Sequence, residues 1–120
     1  MEVDVRQPDG REDIIIVDLR GRLVMGVGDE LLREVINELL AEEWKKILLN
    51  LTGVSKIDSS GIGELVASVK LGERFGSSVK VLLVRGRVHD VLELSQLLPS
   101  LDVYEIEKEA VESFSPRDED

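Results

Sequence analysis

Two short apolar runs constrain the fold of this chain more than any other feature of its sequence. The first, residues 46–51, is interrupted only by Lys46 at its start and Asn50 near its end. The second covers residues 79–84 and has the same character. This pattern is typical of strands covered on both faces, which occur mainly in parallel sheets flanked by helices. The chain is therefore predicted to form a layered α/β domain around at least two buried strands.

The segments around these runs alternate between strand and helix patterns. Apolar residues recur every three or four positions in residues 29–43, 60–74 and 88–98, which predicts three amphipathic helices. Residues 2–6 and 14–17 have strand character, and the turn sequence between them, Pro8-Asp9-Gly10, predicts an N-terminal antiparallel hairpin.

A short strand at residues 103–106 and a last short helix near Ala110 and Phe114 complete the order β-β-α-β-α-β-α-β-α. Strands that alternate with helices require crossover connections. We therefore predict a single α/β domain over residues 1–114. Its mixed, mostly parallel sheet would carry an N-terminal hairpin and about four packed helices. Residues 115–120 are polar and charged, and we expect them to form a disordered acidic tail.

The composition excludes several functional classes. The chain has 120 residues, 25 acidic against 15 basic side chains, a net charge of −10 and no cysteine. Nucleic acids and anionic membranes both require basic surfaces, so neither is an expected partner. The lack of cysteine excludes a disulfide framework and thiol catalysis. No apolar run is long enough to cross a membrane, and we expect a soluble, cytoplasmic domain.

One connection is unusual in its residues. Asp58, Ser59 and Ser60 stand where the helix after the first buried strand begins, and Gly61 and Gly63 fall in its first turn. Aspartate and serine cap helices by accepting hydrogen bonds from free backbone N–H groups. Glycines leave the helix start without side-chain cover, and helix N-termini attract anions. Capping alone explains these residues; the functional alternative is a modification site at Ser59 or Ser60, where a phosphate would add nearly two negative charges.

The sequence gives less support to a catalytic or nucleotide-binding site. The single histidine, His89, is predicted at the start of the third helix as a surface or capping residue, so no base stands beside the serines as a hydrolase requires. The segment Gly61-Ile62-Gly63 lacks the third glycine of a dinucleotide fingerprint. The sequence therefore predicts a protein that is not an enzyme and has no cofactor or metal site.

The same connection resembles a known family signature. Asn50-Leu51 followed by residues 54–65, with Ile57-Asp58-Ser59-Ser60-Gly61-Ile62-Gly63 at the centre, is similar to the signature of the anti-sigma factor antagonist family, the STAS domain. The resemblance extends over residues 3–114, and the size and element order of the family match those predicted from periodicity.

This resemblance implies a partner switch. In the family, the serine after the aspartate is phosphorylated by a partner that is both an anti-sigma factor and a serine protein kinase. The unphosphorylated antagonist binds this partner, the phosphorylated form releases it, and a serine phosphatase resets the cycle. On this chain the resemblance implies phosphorylation of Ser59, with Ser60 as the alternative. The implied partner-binding loop consists of Asp58, Ser59, Ser60, Gly61, Ile62 and Gly63. Asp58 would orient the loop, and the two glycines would permit close approach.

One position departs from the family. Many antagonists have an aspartate where this chain has Val24, and no acidic residue follows here until Asp29. This leaves open a divergent kinase or a role in a larger signalling scaffold of the stressosome type, whose loop serines would only cap the helix. A small-ligand or nucleotide-binding module that uses the helix N-terminus is a further alternative. The oligomeric state, the input signal and the downstream target stay open.

Overall fold

The computed structural model describes residues 1–116, in which five strands and four helices form one α/β domain. The strands are β1 (Glu2–Arg6), β2 (Ile15–Leu23), β3 (Lys46–Ile57), β4 (Ser78–Leu82) and β5 (Val103–Tyr104). The helices are α1 (Asp29–Ala41), α2 (Ser59–Arg74), α3 (Arg87–Leu94) and α4 (Glu107–Ser113), and a 3₁₀ turn lies at Leu98–Ser100. Among the described residues, no helix combines the length and apolar character needed to span a bilayer.

The strands lie side by side in their chain order, from β1 to β5. The pair β1–β2 is antiparallel, with Val5 opposite Val17, and the three following pairs are parallel. Both the N-terminal hairpin and the mostly parallel sheet are therefore confirmed. In this topology α1, α2 and α3 follow the carboxyl ends of β2, β3 and β4, so these helix starts lie at one end of the sheet.

Each face of the sheet has its own hydrophobic core. The larger core joins residues such as Val17, Leu49 and Val81 to the apolar stripes of α1, α2 and α3. A smaller core on the opposite face consists of Ile14, Ile16, Leu48, Leu82, Ala110 and Phe114. Helix α4 supplies Ala110 and its C-cap residue Phe114, which explains why the central strands are apolar on both sides.

Two strands are longer than their apolar runs predict. The prediction that β3 ends at Leu51 was wrong, because β3 continues to Ile57 beside an equally extended β2. Beyond Leu51 the two strands pair in parallel from Arg20 opposite Gly53 to Leu23 opposite Ile57, with register shifts on the way. Backbone pairing between the strands therefore overrides the mixed polar pattern of the two extensions.

Helix α3 differs from its prediction in length and in burial. It ends at Leu94 rather than continuing to residue 98, and Gln96 has a left-handed backbone with φ 64°. The expectation that His89 lies at the surface was also wrong, since this residue is only 7% exposed. It shares the buried face of α3 with Val88 and Leu92.

The predicted acidic tail, residues 115–120, lies mostly outside the described residues. Of the two tail residues that are described, Ser115 accepts a hydrogen bond from Arg11 and Pro116 accepts one from Lys46, each through its backbone carbonyl.

Candidate functional site

Asp58 connects β3 to α2 and caps the helix. Its backbone is extended, and its Oδ1 accepts a hydrogen bond from the backbone N–H of Gly61 at 3.0 Å. Ser59 is the first residue of the helix and is exposed, whereas Ser60 is half-buried. Neither serine hydroxyl is hydrogen-bonded to another residue in the described part of the chain. Asp58 therefore supplies the side-chain cap, and the Ser59 hydroxyl is open to solvent.

The Asp58 carboxylate also binds the turn between β2 and α1. Its Oδ2 accepts a hydrogen bond from the backbone N–H of Met25 at 3.0 Å. This bond, followed by the one from Gly61, lowers the pKa of Asp58 below its ordinary value, because both favour the ionised carboxylate. One ionised side chain thus holds two chain segments together beside Ser59.

The turn itself, residues 24–28, presents apolar side chains. The carbonyl of Val24 accepts hydrogen bonds from the N–H groups of Val27 and Gly28, both at 3.1 Å. Gly26 adopts a left-handed backbone, with φ 73°, that other residues rarely tolerate. Met25 at the tip is 70% exposed and Val27 is 40% exposed. The surface next to Ser59 is therefore apolar on this side.

Asp29 does not replace the acidic side chain that the family often has at position 24. Only 8% of Asp29 is exposed, and its Oδ1 accepts hydrogen bonds from the backbone N–H groups of Gly26 and Glu30. Its carboxylate therefore stabilises the turn and the start of α1. Val24 itself is half-buried.

The two glycines of α2 face different surroundings. A Cβ on Gly61 would lie 2.1 Å from the carbonyl oxygen of Leu23, whereas a Cβ on Gly63 would meet no atom within 4 Å. The expectation that both glycines leave the helix start uncovered is therefore corrected for Gly61, which is buried against the end of β2. Ile62 is also buried, in the larger core. Of the implied partner-binding loop, Ser59 and Gly63 are the exposed members.

A basic pocket lies at the same end of the sheet. Its volume is about 430 Å³, and it is lined by Arg22, Ser55, Lys56, Ile57, Arg87, Val88 and Val91. The side chains of Arg22, Lys56 and Arg87 make no hydrogen bond or ion pair with any residue in 1–116. The sequence alone does not show that these cations are neighbours, because they come from the ends of β2 and β3 and the start of α3. The connection at residues 52–65, which contains Ser59, carries a net charge of only −1.

The fold and this helix start define a STAS domain. The family model for the STAS domain matches residues 6–110, and the chain belongs to that family.

Relatives of known name are similar over most of the chain. An anti-sigma F factor antagonist of Paenibacillus polymyxa is 28% identical over 98 residues, covering 82% of this chain and 84% of that protein. The crystal structure of a Thermotoga maritima protein assigned as an anti-sigma factor antagonist is 27% identical, with a TM-score of 0.74 and 92% coverage of both chains. The Bacillus cell fate determinant SpoIIAA in its phosphorylated form shares the fold at 20% identity, with a TM-score of 0.66, covering 92% of this chain and 97% of that one.

Proposed function

We propose that this chain is an anti-sigma factor antagonist that changes partners according to the phosphorylation of Ser59. The observation that carries the proposal is the position of Ser59. Its hydroxyl is exposed and unpaired within the described residues, at the first position of α2 and next to the ionised cap Asp58. The names of the Paenibacillus and Thermotoga relatives support the antagonist function.

Phosphorylation at this position would change binding rather than folding. A phosphoserine carries about −1.5 to −2 charges at neutral pH. At a helix N-terminus such a charge is favourable by roughly 0.3–1 kcal/mol, so α2 tolerates it. A partner packed on Met25, Ser59 and Gly63 would have to desolvate the phosphate beside the Asp58 carboxylate, which is unfavourable. The phosphorylated chain is therefore expected to release this partner.

The proposal assigns the chemistry to the partners. An anti-sigma factor with serine kinase activity would supply the nucleotide and transfer the phosphate, and a serine phosphatase would remove it. This chain would supply the acceptor hydroxyl and the docking surface. SpoIIAA, which has the same fold, has been solved in phosphorylated and unphosphorylated forms.

The basic pocket indicates what the partner brings to this surface. Arg22, Lys56 and Arg87 are unpaired within residues 1–116, although the whole chain is acidic. The half-buried Val24 offers no charge where many antagonists have an aspartate. We infer that the anti-sigma factor of this system meets the pocket with acidic side chains, since complementary charges steer association.

Substitution of Ser59 tests the switch. The chain is incubated with its anti-sigma kinase and ATP, and phosphate is mapped by mass spectrometry. We expect phosphate on Ser59 in the wild type and in Ser60→Ala, and none in Ser59→Ala. Ser59→Ala should bind the kinase permanently, and Ser59→Asp should bind it at least tenfold more weakly.

Three outcomes would contradict the proposal in different ways. Phosphate found only outside residues 58–60 would remove the site assignment. Equal kinase affinity of wild type, Ser59→Ala and Ser59→Asp would favour a constitutive scaffold. Tight binding of GTP or ATP to the isolated chain, measured by calorimetry, would favour a nucleotide-binding module.

A further inference from the structure

Three side chains with metal-ligating atoms meet on α3. His89, Asp90 and Glu93 each offer one ligand atom, and the three atoms lie within 4.8 Å of one another. This is the one such group of three or more histidine, cysteine and acidic residues in the described part of the chain. It lies outside the phosphorylation site proposed above and is independent of that proposal.

The histidine of this group has no partner. His89 is 93% buried, yet its imidazole makes no hydrogen bond or ion pair with any residue in 1–116. No buried side-chain nitrogen or oxygen among the described residues lacks a hydrogen-bond partner, so the unpaired ring nitrogens of His89 are reached by solvent and are open to a ligand. The ligand atom of His89 lies within 4.8 Å of one carboxylate oxygen of each acidic residue, so the three can approach a common ion.

The two carboxylates are also free. Asp90 and Glu93 are exposed, and within the described residues neither forms a hydrogen bond or an ion pair through its side chain. His89 and Glu93 are four positions apart, so they are neighbours on the helix surface. Asp90 reaches the same point from the adjacent position. The helix therefore gathers one imidazole nitrogen and two carboxylate groups, none of which has an ion-pair partner in the described residues.

We propose that His89, Asp90 and Glu93 bind one divalent transition-metal ion such as Zn²⁺. Zinc accepts imidazole nitrogen and carboxylate oxygen at about 2.0–2.2 Å, which places its ligand atoms roughly 3–4 Å apart. The three atoms lie within 4.8 Å of one another, so the two exposed carboxylates would have to rotate to reach that spacing. Two carboxylates neutralise the charge of the ion, and water completes the coordination on the exposed side.

This proposal differs from the prediction made from the sequence, which was that the chain has no metal site. The sequence predicts His89 at the surface, whereas the fold buries most of this residue and leaves its imidazole without a hydrogen-bond partner in the described residues. A bound ion would join the first turn of α3 to the second. Binding would therefore stabilise α3, whose first residues, Arg87 and Val88, line the basic pocket.

Calorimetric titration of ZnCl₂ into the full chain tests the site. We expect one ion per wild-type chain, and at least tenfold weaker binding to Glu93→Gln and His89→Gln. The matched control is Glu42→Gln, at an exposed position with no side-chain partner in the described residues. This variant should bind zinc as the wild type does.

Glu93→Gln is the decisive variant, because its side chain is exposed whereas His89 belongs to a buried face. In thermal unfolding, zinc should raise the midpoint of the wild type and of Glu42→Gln, but not that of Glu93→Gln. The proposal is overturned if the wild type binds no zinc at one-to-one stoichiometry, or if Glu93→Gln binds as tightly as wild type. A comparable loss in Glu42→Gln would also overturn it, since that points to general charge attraction.

Discussion

Gly61 and Gly63 lie two residues apart in α2 but differ in what a side chain would meet. At Gly61 a methyl group would collide with the Leu23 carbonyl and press on Ile57 Cγ1 at 3.0 Å. At Gly63 it would enter open space. The first glycine therefore permits the close packing of α2 against the end of β2, and the second leaves a small exposed surface beside Ser59.

Alanine at each glycine tests this difference. We expect Gly61→Ala to lower the free energy of unfolding by about 1–3 kcal/mol, as overpacking does. Gly63→Ala should leave it unchanged or raise it by up to roughly 1 kcal/mol, because alanine favours the helix. Urea denaturation of both variants measures the effects, and equal effects at the two positions would contradict the packing assigned to Gly61.

Single residues of the site were predictable where their role is local. The cap at Asp58 follows from its side-chain chemistry and its place before a helix, and the structure confirms it. The burial of Gly61 was not predictable in this way. It depends on Leu23, which comes from a different strand, and the sequence does not show the distance between them.

At the scale of elements, the starts of β2 and β3 are joined by a charged cluster. The Asp13 carboxylate, just before β2, accepts hydrogen bonds from Arg11 at 3.0 Å and from Lys46 at 2.7 Å. These partners, Arg11 first, hold the pKa of Asp13 well below its ordinary value. Lys46 is itself buried at the first position of β3, so the cluster neutralises a charge that the sheet would otherwise bury unpaired.

This cluster predicts a specific dependence of stability on pH. Since the pKa of Asp13 is lower in the folded state, its contribution is present above the unfolded pKa of about 3.9 and is lost as pH falls further. Asp13→Asn should therefore be less stable than wild type at pH 7, and the difference should narrow between pH 4 and pH 2. Urea denaturation across this range measures it. Glu34→Gln, an exposed position without a side-chain partner in residues 1–116, is the control and should follow the wild type throughout.

The elements were predicted best where their side chains alone determine them. The order of strands and helices follows from apolar periodicity and is confirmed. The outer parts of β2 and β3 contain Gly21 and Gly53, which do not favour strands. These parts exist because each strand completes the hydrogen bonding of the other, and that pairing cannot be read from either segment alone.

For the molecule as a whole, α4 covers the smaller core. The helix has only seven residues, too few to be stable alone, so packing must hold it. Phe114 is 4% exposed in the smaller core, and the Lys80 ammonium lies 4.8 Å from the centre of its ring. The same ammonium donates hydrogen bonds to the backbone carbonyl and the hydroxyl of Ser113.

Truncation of Phe114 tests this cover. We expect Phe114→Ala to lower the free energy of unfolding by about 3–5 kcal/mol, because it leaves a cavity in the smaller core. Leu94→Ala, at a position that is 84% exposed, should change it by less than roughly 0.5 kcal/mol. Urea denaturation compares the two. A small effect at Phe114 would mean that the sheet retains its stability without α4.

The net charge of the whole molecule does not show how its charges are distributed over the surface. A net charge of −10 describes the chain correctly, yet three unpaired cations border one pocket near the start of α2. The phosphoacceptor candidate is visible in the sequence because its neighbours are adjacent in the chain. The basic pocket is not visible in the sequence, since Arg22, Lys56 and Arg87 become neighbours only through the parallel arrangement of the strands.

The packing of Met1 has a practical consequence for recombinant forms of this chain. A Cβ on Gly21 would lie 3.3 Å from Met1 Cα, and one on Gly28 would lie 3.0 Å from Met1 Sδ, so Met1 stands beside the turn that carries Met25. Pro116 is held near Lys46, at the opposite end of the sheet. An affinity tag or fluorescent fusion placed before Met1 would crowd the surface around Ser59. Because Pro116 lies at the opposite end of the sheet, binding studies should place the label on the C-terminal side.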